Sequence, residues 1–225
     1  MKYVAIEGGC YAGKTTTIEY LKNEGMAALP ELRVSDGLPP GASLPSGLEG
    51  YKAKIDALIK AEEKRTERID TLRSQADTLL ADRGVLSATL VSQDVGMRLG
   101  IGDPNDRRWA FEYGTTQLNE ARSAGRIVLP DAVLVMVLTN SDEFYRRAEE
   151  RGPDEVPGYP WTQYEPNYLS AERSYVYAHT IWGNSAAKIE IQGDEQKQAV
   201  GAAAMRLVHS LSPVGEALVL PKEML

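Results

Sequence analysis

Lys14 follows a glycine and precedes three threonines in the stretch IEGGCYAGKTTT, residues 6 to 17. Gly8, Gly13, Lys14 and Thr15 satisfy G-x-x-x-x-G-K-[ST], the Walker A or P-loop pattern. Each residue type has a task in it. Glycines let the backbone wrap and aim N–H groups inward, and a helix start adds partial positive charge. The lysine neutralises phosphate oxygens, and the hydroxyl ligates magnesium. Gly8, Gly9, Cys10, Tyr11, Ala12, Gly13, Lys14, Thr15 and Thr16 are therefore expected to hold a nucleoside triphosphate, ATP, with Thr15 reaching Mg²⁺. Cys10 reads as a small filler in that loop rather than a reactive thiol.

A phosphate loop has to sit between a strand and a helix. The apolar run YVAI (3–6) predicts a strand buried on both faces, and KTTTIEYLKNEG (14–25) a helix closed by Gly25. Four more strands are expected at MAAL (26–29), TLLAD (78–82), AVLVMVL (132–138) and KIEI (188–191). Between them, helices are expected over 51–73, 85–100, 107–125, 142–152, 167–182 and 195–211. The proline- and glycine-rich stretch 30–50 predicts a long loop, substrate-facing or disordered. The charge run over 51–73 predicts a mostly solvated helix. The alternation of strand and helix predicts an α/β fold: a central parallel sheet of about five strands, helices on both faces, ligands at the carboxyl ends of the strands. The length suits one domain, 1–225.

The net charge of -7 argues against a general binder of nucleic-acid polymers, which needs a basic face. The single cysteine permits no internal disulfide and is compatible with a reducing compartment. No stretch approaches the ~20 apolar residues of a membrane span, and a cytoplasmic protein is expected. His179 and His209 lie far apart, and no Cys/His cluster predicts zinc.

A P-loop does not by itself separate kinases, GTPases and transport ATPases. The chain has neither an N-K-x-D segment for guanine recognition nor an L-S-G-G-Q signature, which leaves small-molecule kinases. Several segments then resemble, in order, the thymidylate kinase and deoxynucleoside kinase family of P-loop kinases. They are IEGGCYAGKTTTIEYL, LLADRGVLSATL with Ser87 five positions after the acid, LPDAVLVMVLTNSDEFYRRAEERG, and KIEIQGDEQKQAV. The resemblance implies transfer of the γ-phosphoryl of Mg·ATP to a nucleoside monophosphate or nucleoside, ordinary or modified. It implies Asp82 at magnesium or the acceptor, and Arg83 on an acceptor phosphate or reacting oxygen. It also implies Glu31 as the base that takes the proton of an attacking hydroxyl, Arg147 and Arg151 as charge-neutralising groups of a lid over about 146–166, and Gly193 and Asp194 beside the adenine. Two positions depart from the family: Pro30 precedes Glu31 where Glu-Pro is usual, and Pro153 replaces a further lid arginine. A homodimer through helices near the third strand is implied as well, with 51–73 as its candidate.

The ordinary alternatives stand beside these readings. Asp82 with Arg83 could be a surface ion pair, Glu31 a loop acid, and Arg146, Arg147 and Arg151 a solvated helix pairing with Glu149 and Glu150. Trp109, Phe111 and Tyr113 are read as core rather than a stacking platform, Tyr159, Trp161 and Tyr164 as a movable cover. A different class of function, a nucleotide-dependent switch acting through a protein partner, would use helix 51–73 as its contact surface.

Overall fold

The apolar runs become strands with few changes of boundary: β1 (Lys2–Gly8), β2 (Ala27–Leu29), β3 (Thr78–Asp82), β4 (Ala132–Leu138) and β5 (Ala186–Ile191). They form one parallel sheet in the order β2-β3-β1-β4-β5. The computed structural model describes residues 1–29, 45, 47–72, 76–84, 87–152, 163–193, 197–213 and 220–225. Among the described residues six α-helices connect the strands, α1 (Lys14–Asn23), α2 (Gly47–Leu72), α3 (Ser92–Arg98), α4 (Pro104–Ser123), α5 (Ser141–Arg151) and α6 (Tyr164–Trp182), and α7 (Lys197–Ser210) follows the last strand. A π-helical turn, Ser87–Val91, leads into α3.

Side chains of a strand alternate between faces, and β4 divides the core accordingly. Val133, Val135 and Val137 pack with Ala5 of β1 against the layer of α2, α4 and α6. Leu134, Met136 and Leu138 pack with Val4 and Ile6 against α1 and α7. All seven β4 residues are buried, as a strand covered on both faces must be. Strand β1 runs between β3 and β4, with Ile6 opposite Asp82 and Glu7 opposite Val135. The chain leaves β1 through α1 on one face, and it goes from β3 to β4 through α3 and α4 on the other. The carboxyl ends of β1 and β3 therefore flank a topological switch point, where open α/β sheets bind ligands.

Three expectations need correction. The long loop does not reach residue 50, because α2 already begins at Gly47. Helix α2 is not mostly solvated: Tyr51, Ile55, Leu58, Ile59 and Ile69 are in the core, and Glu62 and Arg65 are each only 2% exposed. Helix α4 begins at Pro104, not 107. Asp103 caps it by accepting from the N–H groups of Asn105 and Asp106, at 2.7 and 3.2 Å, and Pro104 fits the first turn, where no N–H is needed. The aromatics of α4 serve packing. Phe111 is 1% exposed, Trp109 stacks on Tyr113 at 5.0 Å, and Tyr113 donates to Asp56 of α2 at 2.6 Å. Among the described residues no helix is long and apolar enough to cross a membrane.

Candidate active site

A cavity of about 800 Å³ opens at the carboxyl edge of the sheet. Its walls are the loop after β1 with the start of α1, Asp82 and Arg83 at the end of β3, helix α5, Ile191 and Gly193 at the end of β5, and the start of α7. Cys10 to Thr16, Asp82, Arg83, Arg147, Arg151 and Gly193 all line it. Glu31, Asp194, Arg33, Tyr159, Trp161 and Pro153 lie outside the described residues, as do 153–162 of the expected lid.

The loop is shaped by close approaches. A Cβ on Gly8 would stand 2.1 Å from the Met136 carbonyl oxygen, and one on Gly9 would stand 2.0 Å from Asn167 Oδ1 of α6. Gly13, at φ 83°, occupies the N-cap of α1, and no side chain caps that helix. The first N–H groups of a helix have no acceptor within it, and together with the helix dipole they favour an anion at this end. Lys14 is 8% exposed and its ammonium donates to the carbonyl of Gly9 at 2.6 Å. A phosphate entering the loop would draw the lysine from that carbonyl.

Thr15 Oγ1 donates to Asp82 Oδ2 at 3.4 Å. A hydroxyl and a carboxylate this close, beside an anion-binding loop, are the hard oxygen donors that magnesium takes. The residues therefore fit the metal. Next to Asp82, Arg83 adopts φ 57°, a left-handed conformation that costs a residue other than glycine about 1–2 kcal/mol. Its guanidinium reaches Cys10 Sγ at 3.7 Å. Burial pushes the Cys10 thiol up. Arg83 and Lys14, with hydrogen bonds from Asn167 and Arg83, outweigh it and hold the thiol below its usual range. Cys10 is half-buried in the loop, beside the Arg83 and Lys14 charges.

Helix α5 starts on the cap of Asn140, which accepts from Asp142 and Glu143 at 2.9 and 3.1 Å. The helix carries Arg147 into the cavity. Arg147 donates to Glu143 of its own helix, to the Tyr11 carbonyl at 3.0 Å and to the Gly193 carbonyl at 3.5 Å. One guanidinium thereby links α5, the phosphate loop and the loop after β5. Arg146 pairs within the helix with Glu143 and Glu150, whereas Arg147, besides its pair with Glu143, also reaches two carbonyls outside the helix. Arg151 is exposed and lies over the Tyr11 ring, 5.9 Å from its centroid. Donors from Arg146, ahead of those from Arg147, hold the Glu143 carboxyl at about 2 against the opposing effect of burial.

Two residues escaped the sequence reading as side chains. Tyr11 is the second residue outside glycine with a positive φ, at 58°, and its ring meets Phe144 of α5 edge-on at 5.0 Å. Asn167 is 4% exposed and packs on Gly9 from α6. No local pattern marks Asn167. Tyr11 was marked only by an aromatic ring inside a glycine-rich loop. Tyr164, expected as a movable cover, is instead fixed: its hydroxyl donates to the Thr139 carbonyl at 2.7 Å and its ring meets Phe144 at 5.7 Å.

No protein-family model and no curated protein matches the chain. Solved structures do. The structure of deoxyadenosine kinase from M. mycoides with bound dATP matches at 16% identity and a TM-score of 0.57, covering 92% of this chain and 100% of that one. The same enzyme with products dCMP and a flexible dCDP matches at 15% and 0.53, covering 92% and 99%. Its complex with dCTP matches at 15% and 0.52, with the same coverage. The chain shares its α/β fold with these structures over nearly its whole length.

Proposed function

We propose that the chain is an ATP-dependent kinase that moves the γ-phosphoryl group of ATP to a small nucleoside-type acceptor. The observation that carries this is convergence. Lys14 and Thr15 at a helix start, Asp82 with Arg83 after β3, and Arg147 of α5 come from three separate segments and line one cavity at the switch point. In this reading residues 1–225 work as one unit, with 146–166 as its lid. The loop amides and Lys14 hold the donor phosphates, and Gly193 with Asp194 borders the adenine. Thr15 and Asp82 would hold magnesium, which when bound neutralises charge on the phosphates. Arg83 addresses the acceptor, and Arg147 and Arg151 meet the charge that spreads over the transferring group. Closure of the lid excludes water, which would otherwise compete as acceptor.

For the acceptor we favour a deoxynucleoside, in line with the activity named for the similar structures. Glu31 would then take the proton of the attacking hydroxyl. A nucleoside monophosphate, as in thymidylate kinases, is the second candidate, with Arg83 on its phosphate. The switch reading gains nothing from α2, whose inner face is occupied by the protein's own core.

The test is phosphoryl transfer from Mg·ATP to a panel of deoxynucleosides and their monophosphates. Lys14→Ala should reduce turnover by about 10²–10³-fold, the loss typical of one transition-state donor. Stimulation by one acceptor, lost in that variant, identifies the substrate class. ATP binding without stimulation by any member would sink the proposal.

A further inference from the structure

Arg83 is held in its left-handed conformation from three sides. Its N–H donates to the Ile6 carbonyl at 3.0 Å, and the next N–H, of Gly84, donates to Glu7 Oε1 at 2.7 Å. The third hold comes from α2, which lines no part of the 800 Å³ cavity. Arg65 Nη1 donates to the Arg83 carbonyl at 2.6 Å, and Nη2 to the Asp82 carbonyl at 3.4 Å. Arg65 is 2% exposed, and so is Glu62, whose Oε2 lies 3.3 Å from the same Nη1.

An apolar side chain of similar volume would fill this space without the cost of desolvating an ion pair. What the arginine adds is a rigid fork of donors aimed at two successive carbonyls of one turn. That turn carries the two side chains that reach the phosphate loop: Asp82 at Thr15, and Arg83 at Cys10. If the turn relaxed to negative φ, the Arg83 side chain would swing off that line.

We propose that Arg65 is a positioning residue of the transfer site. It fixes the 82–84 turn from behind, with Glu62 holding the guanidinium and Glu7 holding the far end of the turn. The effect on turnover rests on the kinase reading. The effect on the turn does not, and the two are measured separately.

The experiment compares the full chain with Arg65→Lys and Arg65→Met, by amide hydrogen exchange and by transfer to the best acceptor of the deoxynucleoside panel. Lysine keeps the charge but loses the fork; methionine keeps the volume. In both variants the Arg83 and Gly84 amides should exchange faster by at least about tenfold more than the β4 amides do, and in Arg65→Lys, which keeps the charge beside Glu62, those of β4 should keep their protection. Turnover should fall about 10²-fold, as for a small misplacement of a reacting group. The KM for ATP should change less than turnover, because Lys14 and the loop amides that hold the donor phosphates stay in place. Adding Arg65→Met to Arg83→Ala should cost clearly less than the sum of the two separate losses, since Arg65 acts in part through Arg83.

Undisturbed exchange at residues 83 and 84 in Arg65→Lys overturns the proposal, as do additive losses in the double variant. Loss of protection throughout the sheet in both variants overturns it too, because Arg65 would then serve the core at large. If the wild-type chain phosphorylates no acceptor, only the kinase reading fails, and exchange at the turn still decides the role of Arg65.

Discussion

In α2, Glu62 stands three residues before Arg65; in α5, Glu143 stands three residues before Arg146, and the same spacing has opposite electrostatic results. Burial pushes the Glu62 carboxyl up to about 7; Arg65 pulls against that shift and Glu7 adds to it. The Glu143 carboxyl is held down at about 2 by Arg146 first and Arg147 next. Both glutamates are well covered, at 2% and 7% exposed, so cover alone does not separate them. The surroundings do. Glu62 faces the core and shares one arginine, whose Nη1 is nearer the Arg83 carbonyl, at 2.6 Å, than Glu62 itself, at 3.3 Å. Glu143 receives donors from two arginines at the surface, and the Arg146 side chain is half exposed. An ion pair is thus named by its residues, but its sign of effect is set by how many donors remain for the carboxylate and whether water reaches the pair.

The largest test of this contrast is Arg65→Ala. Removing one partner of a buried pair should cost about 3–5 kcal/mol of unfolding free energy, read by chemical denaturation. The loss should be larger at pH 8 than at pH 5.5, because a protonated Glu62 needs no counter-ion. Arg146→Ala, at the exposed pair, should cost no more than about 1 kcal/mol. Equal losses would mean that the two pairs do not differ in kind.

Next in size is the pH dependence of Glu62. A carboxyl raised from 4.5 to about 7 favours the protonated fold. Its contribution is complete below pH 4.5 and is lost as pH rises through 7, on the order of 3 kcal/mol in all. Glu62→Gln should remove that slope, so wild type and variant should converge in acid and separate between pH 5.5 and 8. Parallel stability curves would sink the assignment.

Much of the fold was legible because its strands are continuous apolar runs between turn formers. TLLAD became β3 and AVLVMVL became β4 without a change of boundary. The loop between β1 and α1 was legible for a different reason: the G-x-x-x-x-G-K-[ST] pattern admits few residue types at fixed spacing. The misreading of α2 is instructive. Ile55, Leu58, Ile59, Glu62, Arg65, Thr66 and Ile69 continue one stripe at helical spacing. The stripe runs through Glu62 and Arg65, whose charge alone does not distinguish a solvated face from a buried pair. Asp103 and Pro104 likewise announce the start of α4 and were passed over. The left-handed conformations of Tyr11 and Arg83 carry no such signal, since neither residue type favours them. They are imposed by contacts from α5 and α2, which only the assembled fold brings near.

The third prediction sets stability against activity. Arg147→Ala should lower acceptor-dependent turnover about 10²-fold, as the loss of a charge-stabilising donor does. Its stability should stay within about 1 kcal/mol of wild type, since Arg146 still pairs with Glu143 when Arg147 is gone. Arg65→Ala should disturb both. A fall in stability with Arg147→Ala as large as with Arg65→Ala would erase the division between the two clusters.

The smallest effect concerns Glu143 itself. A carboxyl depressed from 4.5 to about 2 contributes stability above pH 4.5 that is lost as pH falls through 2. Solvent reaches Arg146, so the whole contribution should stay below about 1 kcal/mol. Denaturation of wild type and Glu143→Gln at pH 7, 4 and 2.5 should show a small wild-type advantage at pH 7 that shrinks toward pH 2.5. That direction is opposite to the one expected for Glu62→Gln, in which the wild type gains as pH falls. The two glutamine variants therefore form a matched pair, with the same substitution at the same spacing from an arginine. If both curves moved in the same direction with pH, the difference in surroundings would not govern these carboxylates.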